Sequence, residues 1–470
     1  MSSPIAREPS DVAQVTSHLD ITSVLNEAID WRYKSFPPTA RTVTVGTVDE
    51  QGWHALDGDL LLPVMVLKES ALRHNIDLMA RYCREHGVHL APHGKTPIAP
   101  QIAERQLEAG AWGITAATIH QVRVFRAFGV QRILLANELL EPAAVEWVAA
   151  ELARDSQFEF LCLVDSLEGV AALDGTLTRI VSPRPLRILL ELGAPGGRSG
   201  IRSRDTVRAV AAAVAGSPCL ELAGLEGYEG AVRGETLDER LAEVDRFLNE
   251  LREQIIELAQ TGLFDGLDEI IVSAGGSLFF DRVVELLTHP WDLGTPVRVV
   301  LRSGSYVTHD FDTYERLSPL AGRGTGQEGT APKPSAGSPK PSAGSPKPSA
   351  GYPGMPLQTA LELWAMVLSR PEPDLAIAGF GKRDAPYDLR LPVPFAVRRA
   401  GEMRPIAGEL EVTALNDQHA YLRVDAGFDL TVGDLAGLNV AHPCTSFDKW
   451  RLVPLVDDAY RVMGAIRTFF

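Results

Sequence analysis

The sequence predicts an α/β fold, a (β/α)8 barrel of the TIM type followed by a C-terminal all-β domain. Two observations carry this prediction. Between about residues 88 and 301, short runs rich in Val, Ile and Leu alternate with longer segments of helical spacing, which is typical of a parallel sheet covered by helices. From about residue 389 onward, short alternating segments are separated by turn residues, and this pattern indicates β structure.

Eight apolar runs are the predicted barrel strands, and they lie at residues 88–91, 113–116, 132–136, 158–164, 187–192, 222–226, 269–273 and 297–301. Eight such units favour a closed barrel, with a doubly wound open sheet as the alternative. Another candidate strand at 63–67 leads into a helix, for which Ser70 is the predicted N-cap and Gly87 the stop signal. In the C-terminal domain the predicted strands lie at 409–414, 420–424 and 437–441.

We predict four regions in the chain: an N-terminal extension at 1–60 that contributes to the β-domain, the barrel at 61–318, an insertion at 322–356 and the β-domain at 357–470. The insertion contains the seven-residue repeat SAGSPKP at 335–341 and again at 342–348. The repeat has no large apolar side chain that could offset its ordering entropy, so the composition predicts disorder. A flexible insertion without function is the favoured interpretation, and a lid or partner-binding segment is the alternative.

The chain has 470 residues and a formal net charge of −16. This acidic balance argues against nucleic acid and against a polybasic membrane contact. No apolar run approaches the roughly 20 residues of a membrane helix, and the polar N-terminus does not resemble a signal peptide, so we expect a cytoplasmic protein that acts on a small molecule. The cysteines are scattered and predict neither a disulfide framework nor a zinc ribbon; they are Cys83, Cys162, Cys219 and Cys444.

The motif APHGKT at 91–96 follows the first predicted barrel strand. Active sites of such barrels lie at the carboxyl ends of the strands, and Lys95 is therefore a candidate for chemistry. In a dry pocket the pKa of a lysine falls, and its neutral amine can form a Schiff base. A solvated surface lysine is the alternative for a lysine considered alone.

Two loops of small residues follow the last two predicted strands, SAGGS at 273–277 and RSGSY at 302–306. Small side chains allow backbone N–H groups to approach an anion, and barrels commonly hold phosphate at these two positions. Each loop alone is more often a simple turn. Together with Lys95 they predict a phosphorylated aldehyde cofactor, for which pyridoxal 5′-phosphate (PLP) is suited.

These motifs and several others resemble the fold-type III PLP-dependent enzymes of the D-threonine aldolase and D-serine dehydratase group, which is alanine racemase N-terminal-like, and in particular its amino acid deaminase-like branch. The similar pieces are PVMVL at 63–67, HN at 74–75, APHGKT, ITAAT at 114–118, LLANE at 134–138, ELG at 191–193, RSG at 198–200, GLEGYEG at 224–230, SAGGS and RSGSY. The resemblance extends over roughly residues 57–460, apart from the repeat.

The resemblance implies that Lys95 is the Schiff-base lysine. The implied or predicted cofactor contacts are His93, Lys95, Arg198, Tyr228, Gly275, Gly276, Ser277, Ser303, Gly304, Ser305 and Tyr306. Many relatives carry His directly after the KT pair, where this chain has Pro97, and this departure concerns the substrate contacts. We also expect a homodimer whose active site lies near the subunit interface.

A second motif, His442-Pro443-Cys444, lies near the C-terminus. On an extended segment the two side chains would point to the same side, and imidazole with thiolate suits Zn²⁺, although a buried structural thiol is the default for Cys444 alone. The family carries an H-x-C or H-x-D pair that binds a divalent metal. The Cys form resembles the zinc-dependent D-serine dehydratases, and the Asp form resembles aldolases that use Mn²⁺ or similar ions. Asp448 is a candidate carboxylate for orienting a ligand, or a solvated turn residue.

The sequence thus predicts a PLP- and zinc-dependent ammonia-lyase that converts a β-hydroxy D-amino acid, such as D-serine or D-threonine, into a 2-oxo acid and ammonia. A metal-dependent D-threonine-type aldolase on the same scaffold is the first alternative, with Mn²⁺ or another divalent ion possible in place of zinc. A non-catalytic PLP carrier is the second, and the β-domain argues against it because such carriers usually lack one. A racemase is disfavoured because it offers no role for the H-x-C pair.

Overall fold

The computed structural model describes residues 18–38, 42–311, 317–321 and 356–470. The predicted insertion at 322–356 therefore lies outside the described residues, except for Pro356. In the described ranges no helix combines the length and the apolar character needed to cross a membrane.

Three elements precede the barrel, namely α1 (Thr22–Leu25), β1 (Val64–Lys68) and α2 (Glu69–Glu85). The barrel strands are β2 (His89–Leu90), β3 (Ile114–Ala116), β4 (Arg132–Glu138), β5 (Glu159–Val164), β6 (Leu186–Leu192), β7 (Leu220–Gly227), β8 (Ile270–Ala274) and β9 (Val297–Leu301). The helices between them are α3 (Pro100–Glu108), α4 (Ile119–Ala127), α5 (Pro142–Arg154), α6 (Leu167–Ile180), α7 (Arg204–Ala215), α8 (Leu237–Gln260) and α9 (Phe280–Leu287).

The parallel barrel sheet confirms the predicted fold class and all eight predicted strands. Its order is β2-β9-β8-β7-β6-β5-β4-β3, so the sheet curls until its first and last strands face each other. Backbone hydrogen bonds join the two ends: Trp112 N donates to Leu90 O over 2.7 Å, and Thr115 N donates to Pro92 O over 3.0 Å. The barrel interior is packed with apolar side chains, among them Ala91, Trp112, Leu134, Leu161, Leu189, Ile271 and Val300. Chemistry is therefore confined to the rim, where the strands end.

The second sheet is formed by the C-terminal strands together with β1. Its elements are β10 (Leu361–Glu372), β11 (Leu375–Ala378), β12 (Val393–Arg399), β13 (Glu402–Pro405), β14 (Leu410–Leu415), β15 (Ala420–Val424), β16 (Leu435–Asn439), α10 (Cys444–Phe447), β17 (Leu452–Val456) and β18 (Val462–Arg467). Strand β1 lies between β10, to which it is antiparallel, and β17, to which it is parallel. The N-terminal residues also reach this sheet, since Ala55 N donates to Tyr460 O over 2.8 Å.

The three predicted C-terminal strands are present as β14, β15 and β16, but the β structure begins earlier than the predicted change at residue 389. Strands β10 to β13, β17 and β18 were not among the predicted strands. For β10 the reason is that its first half, LELWAMV, is mostly apolar and lacks a clear alternation of polar and apolar residues. Most of that half is buried between neighbouring strands, and such a run cannot be distinguished from a core helix by periodicity.

The prediction that Ser70 caps α2 is wrong. The helix begins at Glu69 with Lys68 as N-cap and no side-chain cap, while Ser70 Oγ donates to Asp458 Oδ1 over 2.6 Å. The serine thus ties the helix to the loop between β17 and β18. The predicted stop is confirmed, because Gly87 has a φ of +64° directly after the helix.

Candidate active site

Side chains from most of the barrel strand ends line one cavity of about 190 Å³. Eight of the predicted cofactor contacts line it: His93, Lys95, Arg198, Tyr228, Gly276, Ser277, Gly304 and Ser305. Thr96, Asn137, Ser199 and Arg302 also belong to the wall. The structure therefore brings together motifs that are more than 200 residues apart in the sequence, at the rim where a barrel carries its active site.

Lys95 lies in the loop between β2 and α3, with its side chain partly buried in the cavity wall. Burial lowers the pKa of the Lys95 amine, and the positive charges of Arg198 and Arg302 lower it further, whereas the nearby Cys444 thiolate acts in the opposite direction. A lowered pKa increases the neutral fraction of the amine, which is the form that attacks an aldehyde.

The cavity carries features that suit an anionic aldehyde cofactor. His93 Nδ1 is buried without a hydrogen-bond partner among the described residues, and burial together with the charges of Lys95 and Arg302 holds the pKa of His93 well below its usual range. The loop after β9 passes close to His93, since a Cβ on Gly304 would lie 2.5 Å from His93 O. A neutral imidazole and a close backbone wall beside the lysine fit PLP.

In the predicted phosphate loop after β8, two backbone amides already form hydrogen bonds to a side chain of the protein. The amides of Gly275 and Gly276 donate to the Glu229 carboxylate, over 3.0 and 2.6 Å. From the sequence these amides are expected to face an anionic ligand, whereas in the structure they bond to an internal carboxyl group. Burial raises the pKa of this carboxyl group, and the two amide bonds act in the opposite direction. Glu229 belongs to the quoted GLEGYEG motif, but its role was not predicted. Ser277 and Ser305 still line the cavity.

Three predicted contacts do not reach the cavity wall. Ser303 Oγ donates to Gly275 O over 2.9 Å, so these two residues tie the loops together behind the wall. The Tyr306 hydroxyl accepts a hydrogen bond of 2.9 Å from Gln106 Nε2 and is buried. The Tyr306 ring therefore packs between the loop and α3 instead of facing a ligand, which differs from its predicted role.

The predicted metal pair lies against the lysine loop. Cys444 Sγ is 3.3 Å from the hydroxyl oxygen of Thr96, the neighbour of Lys95, and the His442 side chain lies near enough to lower the pKa of its thiol. The expectation of an extended segment is wrong, because Pro443 has helical angles of −55° and −40° and Cys444 begins α10. The turn into this helix nevertheless brings imidazole and thiol together.

Asp388 lies in the segment between β11 and β12 and orients the ring of His442. It was not among the residues predicted from the sequence. His442 Nδ1 is 2.6 Å from Asp388 Oδ2, and Thr445 Oγ1 donates to Asp388 Oδ1 over 3.0 Å. The predicted candidate Asp448 instead contacts Lys449 Nζ over 2.9 Å. Asp388 is 54 residues before His442 and belongs to no recognisable motif, so the tertiary structure alone reveals it.

Without a metal, the charges of this pair favour a thiolate beside a protonated imidazole. Burial opposes ionisation of Cys444, but hydrogen bonds from His442 and Thr96 and the charge of His442 outweigh it and lower the pKa of the thiol. The hydrogen bond to Cys444 raises the pKa of His442 to about 9, with Asp388 acting in the same direction. Once His442 gives up its proton to solvent, thiolate and neutral imidazole, with the second ring nitrogen held by a carboxylate, are a donor set that fits a divalent ion such as Zn²⁺.

Comparisons with known proteins agree with both halves of the molecule. Residues 67–264 match the alanine racemase N-terminal domain, and residues 360–456 match a putative serine dehydratase domain. The chain is 26% identical over 368 residues to D-threonine aldolase of Arthrobacter sp, which covers 78% of this chain and 80% of the relative. It is 28% identical over 144 residues to D-threo-3-hydroxyaspartate dehydratase of Delftia sp. This match covers 31% of this chain and 37% of that protein.

Solved structures of D-threo-3-hydroxyaspartate dehydratase share the fold. A His→Ala variant superimposes with a TM-score of 0.66 and 18% identity, over 90% of this chain and 99% of that one. A Cys→Ala variant, substituted two positions further along that chain and described as the metal-free form, gives a TM-score of 0.63 at 18% identity, over 87% of this chain and 98% of that one.

The barrel, the β-domain and the two domain matches define a PLP-dependent enzyme of fold type III. Within that class the relatives to which the chain is similar are lyases, among them D-threonine aldolase and D-threo-3-hydroxyaspartate dehydratase.

Proposed function

We propose that the protein is a zinc- and PLP-dependent ammonia-lyase that acts on β-hydroxy D-amino acids and releases a 2-oxo acid and ammonia. The observation that carries the proposal is the contact between the two predicted centres: Cys444 Sγ lies 3.3 Å from the hydroxyl oxygen of Thr96, next to Lys95 in the chain. The dehydratase whose Cys variant is described as metal-free supports the same choice, because this chain also ends its pair in Cys.

Each part of the site has a place in this reaction. PLP, which Lys95, Arg198 and the loops after β8 and β9 would hold, supplies an electron sink. A divalent ion on His442 and Cys444 supplies Lewis acidity toward a hydroxyl group. Lys95 Nζ, with its lowered pKa, takes the proton from Cα, and the apolar barrel interior below the cavity keeps bulk water away from that transfer.

The overall reaction needs no external oxidant or reductant. The substrate loses the Cα proton and the β-hydroxyl group as water. The resulting enamine tautomerises to an imine, and addition of water to the C=N bond releases ammonia and leaves the 2-oxo acid. The water lost in the first stage is regained in the second.

A retro-aldol lyase is the second candidate, and the relative that matches 78% of this chain favours it, since that protein is a D-threonine aldolase. In that reaction the β-hydroxyl loses its proton, the Cα–Cβ bond breaks, and Cα gains the proton. The products are glycine and an aldehyde.

Product analysis tests the proposal. The purified protein, loaded with PLP and Zn²⁺, is incubated with D-serine, D-threonine, D-threo-3-hydroxyaspartate and the corresponding L-forms, and ammonia and aldehyde are assayed separately. We expect ammonia with the D-forms and little aldehyde. Aldehyde and glycine without ammonia would establish the aldolase instead, and no product from any D-form would overturn both candidates.

Metal removal is the complementary test. We expect chelation to abolish turnover of β-hydroxy substrates and to leave PLP attached to Lys95, because thiolate and amine come from different domains. Zn²⁺ should restore turnover better than Mg²⁺, since thiolate is a soft ligand and Mg²⁺ prefers oxygen. Full turnover by protein that metal analysis shows to be empty would remove the metal from the proposal.

A further inference from the structure

Arg198 is an exposed residue whose guanidinium lies at the cavity without a direct ion pair among the described residues. Its side chain lines the wall and lies over the Tyr228 ring, with the guanidinium carbon 5.1 Å from the ring centroid. Across the described residues it makes no ion pair with a carboxylate, whereas Arg302 in the same wall is paired with buried Glu226. An unpaired guanidinium can bind an electron-rich group of a ligand, provided that its backbone is held in place.

The two residues after Arg198 are each held by a carboxylate at the end of a barrel strand. Ser199 Oγ donates to Glu191 Oε1 of β6 over 3.0 Å, and Gly200 N donates to Asp165 Oδ2 after β5 over 3.0 Å. Gly200 has a φ of +95°, and a Cβ there would lie 2.6 Å from a backbone nitrogen across the turn, so this turn requires glycine. The two carboxylates thus fix the backbone that carries Arg198 without contacting its guanidinium.

A third acid completes this carboxylate cluster, which consists of Glu138, Asp165 and Glu191, with oxygen atoms within 4.8 Å of one another. Glu191 is 4% exposed, and its Oε2 has no hydrogen-bond donor in the described structure; the same is true of Glu138 Oε1. Two ionised carboxylates repel each other at this distance in a partly buried site, which favours one proton held between Glu138 and Glu191. Burial, followed by the interaction with Glu191, raises the pKa of Glu138 to about 7.

Other charged or titratable groups also face this cluster. Glu226 on β7 is paired with Arg302, and the Cys162 thiol of β5 lies beside Glu138. Burial and then the charge of Glu226 raise the pKa of Glu191, while the positive charge of Arg198 acts in the opposite direction. Burial raises the pKa of Cys162 well above its usual range, so this thiol stays neutral. The shared proton therefore sets the net charge beside Arg198.

We propose that Glu191 and Asp165 are positioning residues for Arg198, and that the proton shared with Glu138 keeps the cluster from drawing the guanidinium out of the cavity. The inference rests on the proposed function, because it assumes that the cavity holds PLP. A neutral Glu138 leaves the cluster with two negative charges, both engaged by Ser199 and Gly200. A third charge would compete with the cavity for Arg198.

The test measures PLP affinity by absorbance titration in variants that release the Arg198 segment. Glu191→Ala and Ser199→Ala each remove the same hydrogen bond, and Glu159→Gln, at the opposite end of the barrel on β5, is the matched control. Each variant is also made in an Arg198→Ala background. A conservative variant, Glu138→Gln, is titrated between pH 5 and pH 9.

We expect Glu191→Ala and Ser199→Ala to weaken PLP binding on the order of 10-fold, the usual effect of a hydrogen bond to a charged group, and to have little effect once Arg198 is absent. PLP affinity of the unaltered protein should fall as the pH rises through about 7, and Glu138→Gln should remove that fall. If Glu191→Ala does not fold, the PLP affinity of Ser199→Ala tests the positioning role alone, because it removes the same hydrogen bond.

If Glu191→Ala and Ser199→Ala both bind PLP as tightly as the Glu159→Gln control, the positioning role is overturned. It is also overturned if the two substitutions weaken PLP binding as much in the Arg198→Ala background as in the presence of Arg198. These results leave the proposed function intact, because the unaltered protein would still bind PLP. If the unaltered protein binds no PLP, both proposals fail together.

Discussion

At Cys444 the surroundings decide whether the side chain behaves as a core thiol or as a ligand. The residue is partly buried, and burial alone would keep the thiol protonated. The imidazole of His442 and the hydroxyl of Thr96 stabilise the thiolate and lower its pKa. The sequence motif alone favours a structural thiol, whereas the three-dimensional neighbours favour a metal ligand.

Lys95 is the residue on which the assignment of the cofactor site depends. Lys95→Ala is expected to abolish both turnover and the covalent PLP adduct that borohydride reduction traps, because the amine is the proposed site of attachment. The measurement is mass spectrometry of the reduced protein. Lys382→Ala, an exposed lysine beside Tyr387, is the control, and a retained adduct in Lys95→Ala would contradict the assignment.

Asp388 should influence metal affinity through His442. Asp388→Asn is expected to weaken zinc binding roughly 10- to 100-fold, the usual range for the partner of a ligating histidine, because the amide no longer fixes the imidazole tautomer. Competition with a chromophoric chelator measures the affinity. Asp448→Asn, whose side chain contacts Lys449 instead, should bind zinc normally; equal losses in the two variants would mean that Asp388 has no special role.

Glu138 should make stability depend on pH. Its pKa in the folded protein is about 7, above the ordinary value of 4.5, so the protonated form is favoured by folding. The resulting stabilisation is complete below about pH 4.5 and is lost as the pH rises through about 7. The thermal unfolding temperature should fall as the pH rises across this range. The fall should be smaller in Glu138→Gln and unchanged in Glu159→Gln. An unchanged decline in Glu138→Gln would assign the effect to other groups.

At the scale of elements, the strands and the loops that follow them differ in how far the sequence predicts them. Runs such as 132–136 and 187–192 are apolar because a parallel strand is buried on both faces, so composition alone finds β4 and β6. The first half of β10 is similarly apolar, but the sequence around it lacks the alternating helices that identified the barrel, and it was missed.

The cavity residues that could be predicted from the sequence are those that directly follow a barrel strand. Lys95, Gly276 and Ser305 all follow barrel strands, and a shared rim is sufficient to bring them to one cavity. Asp388 and Glu229 depend on how separate segments pack against each other, and no periodicity encodes that packing. The sequence therefore predicts the residues that line the cavity, but not Asp388 and Glu229, which hydrogen-bond to those residues or to the predicted metal ligand.

The loop after β8 should discriminate between phosphorylated and unphosphorylated ligands according to the charge on Glu229. Glu229→Gln removes a like charge from the phosphate region and keeps an acceptor for only one of the amides of Gly275 and Gly276, which bond to different oxygens of Glu229. We expect PLP to bind at least about 3-fold more tightly, from the Coulomb energy of charges several ångströms apart, and pyridoxal to bind as before. Titration of both ligands, with Glu221→Gln at the start of β7 as control, measures this; equal changes for both ligands would contradict it.

At the scale of the whole molecule, the candidate active site lies where the two domains meet. The barrel supplies Lys95 and Thr96, and the β-domain supplies His442, Cys444 and Asp388. The C-terminal residues also return to the lysine loop, since Phe469 N donates to Ile98 O over 3.0 Å. A change in the docking of the domains would therefore alter the distance between amine and metal ligands directly.

The repeat should be dispensable to this arrangement. Deletion of residues 324–349 is expected to leave the thermal unfolding temperature and turnover nearly unchanged, because the segment has no large apolar side chain to contribute to a core. The measurements are calorimetry and ammonia release, and replacement of the same residues by a Gly/Ser linker of equal length is the control. Loss of turnover with intact folding would instead indicate a lid.

The placement of β1 has a consequence for synthesis of the chain. Val64 pairs with Trp364, and Leu67 pairs with Leu455, so the ribosome makes roughly 300 further residues before either neighbour of β1 exists. Such distant pairing slows folding, because a long loop must close before any contact forms. Throughout that interval the nascent chain carries the apolar segment PVMVL at 63–67 with both edges unpaired, which makes it a binding site for chaperones and a starting point for aggregation.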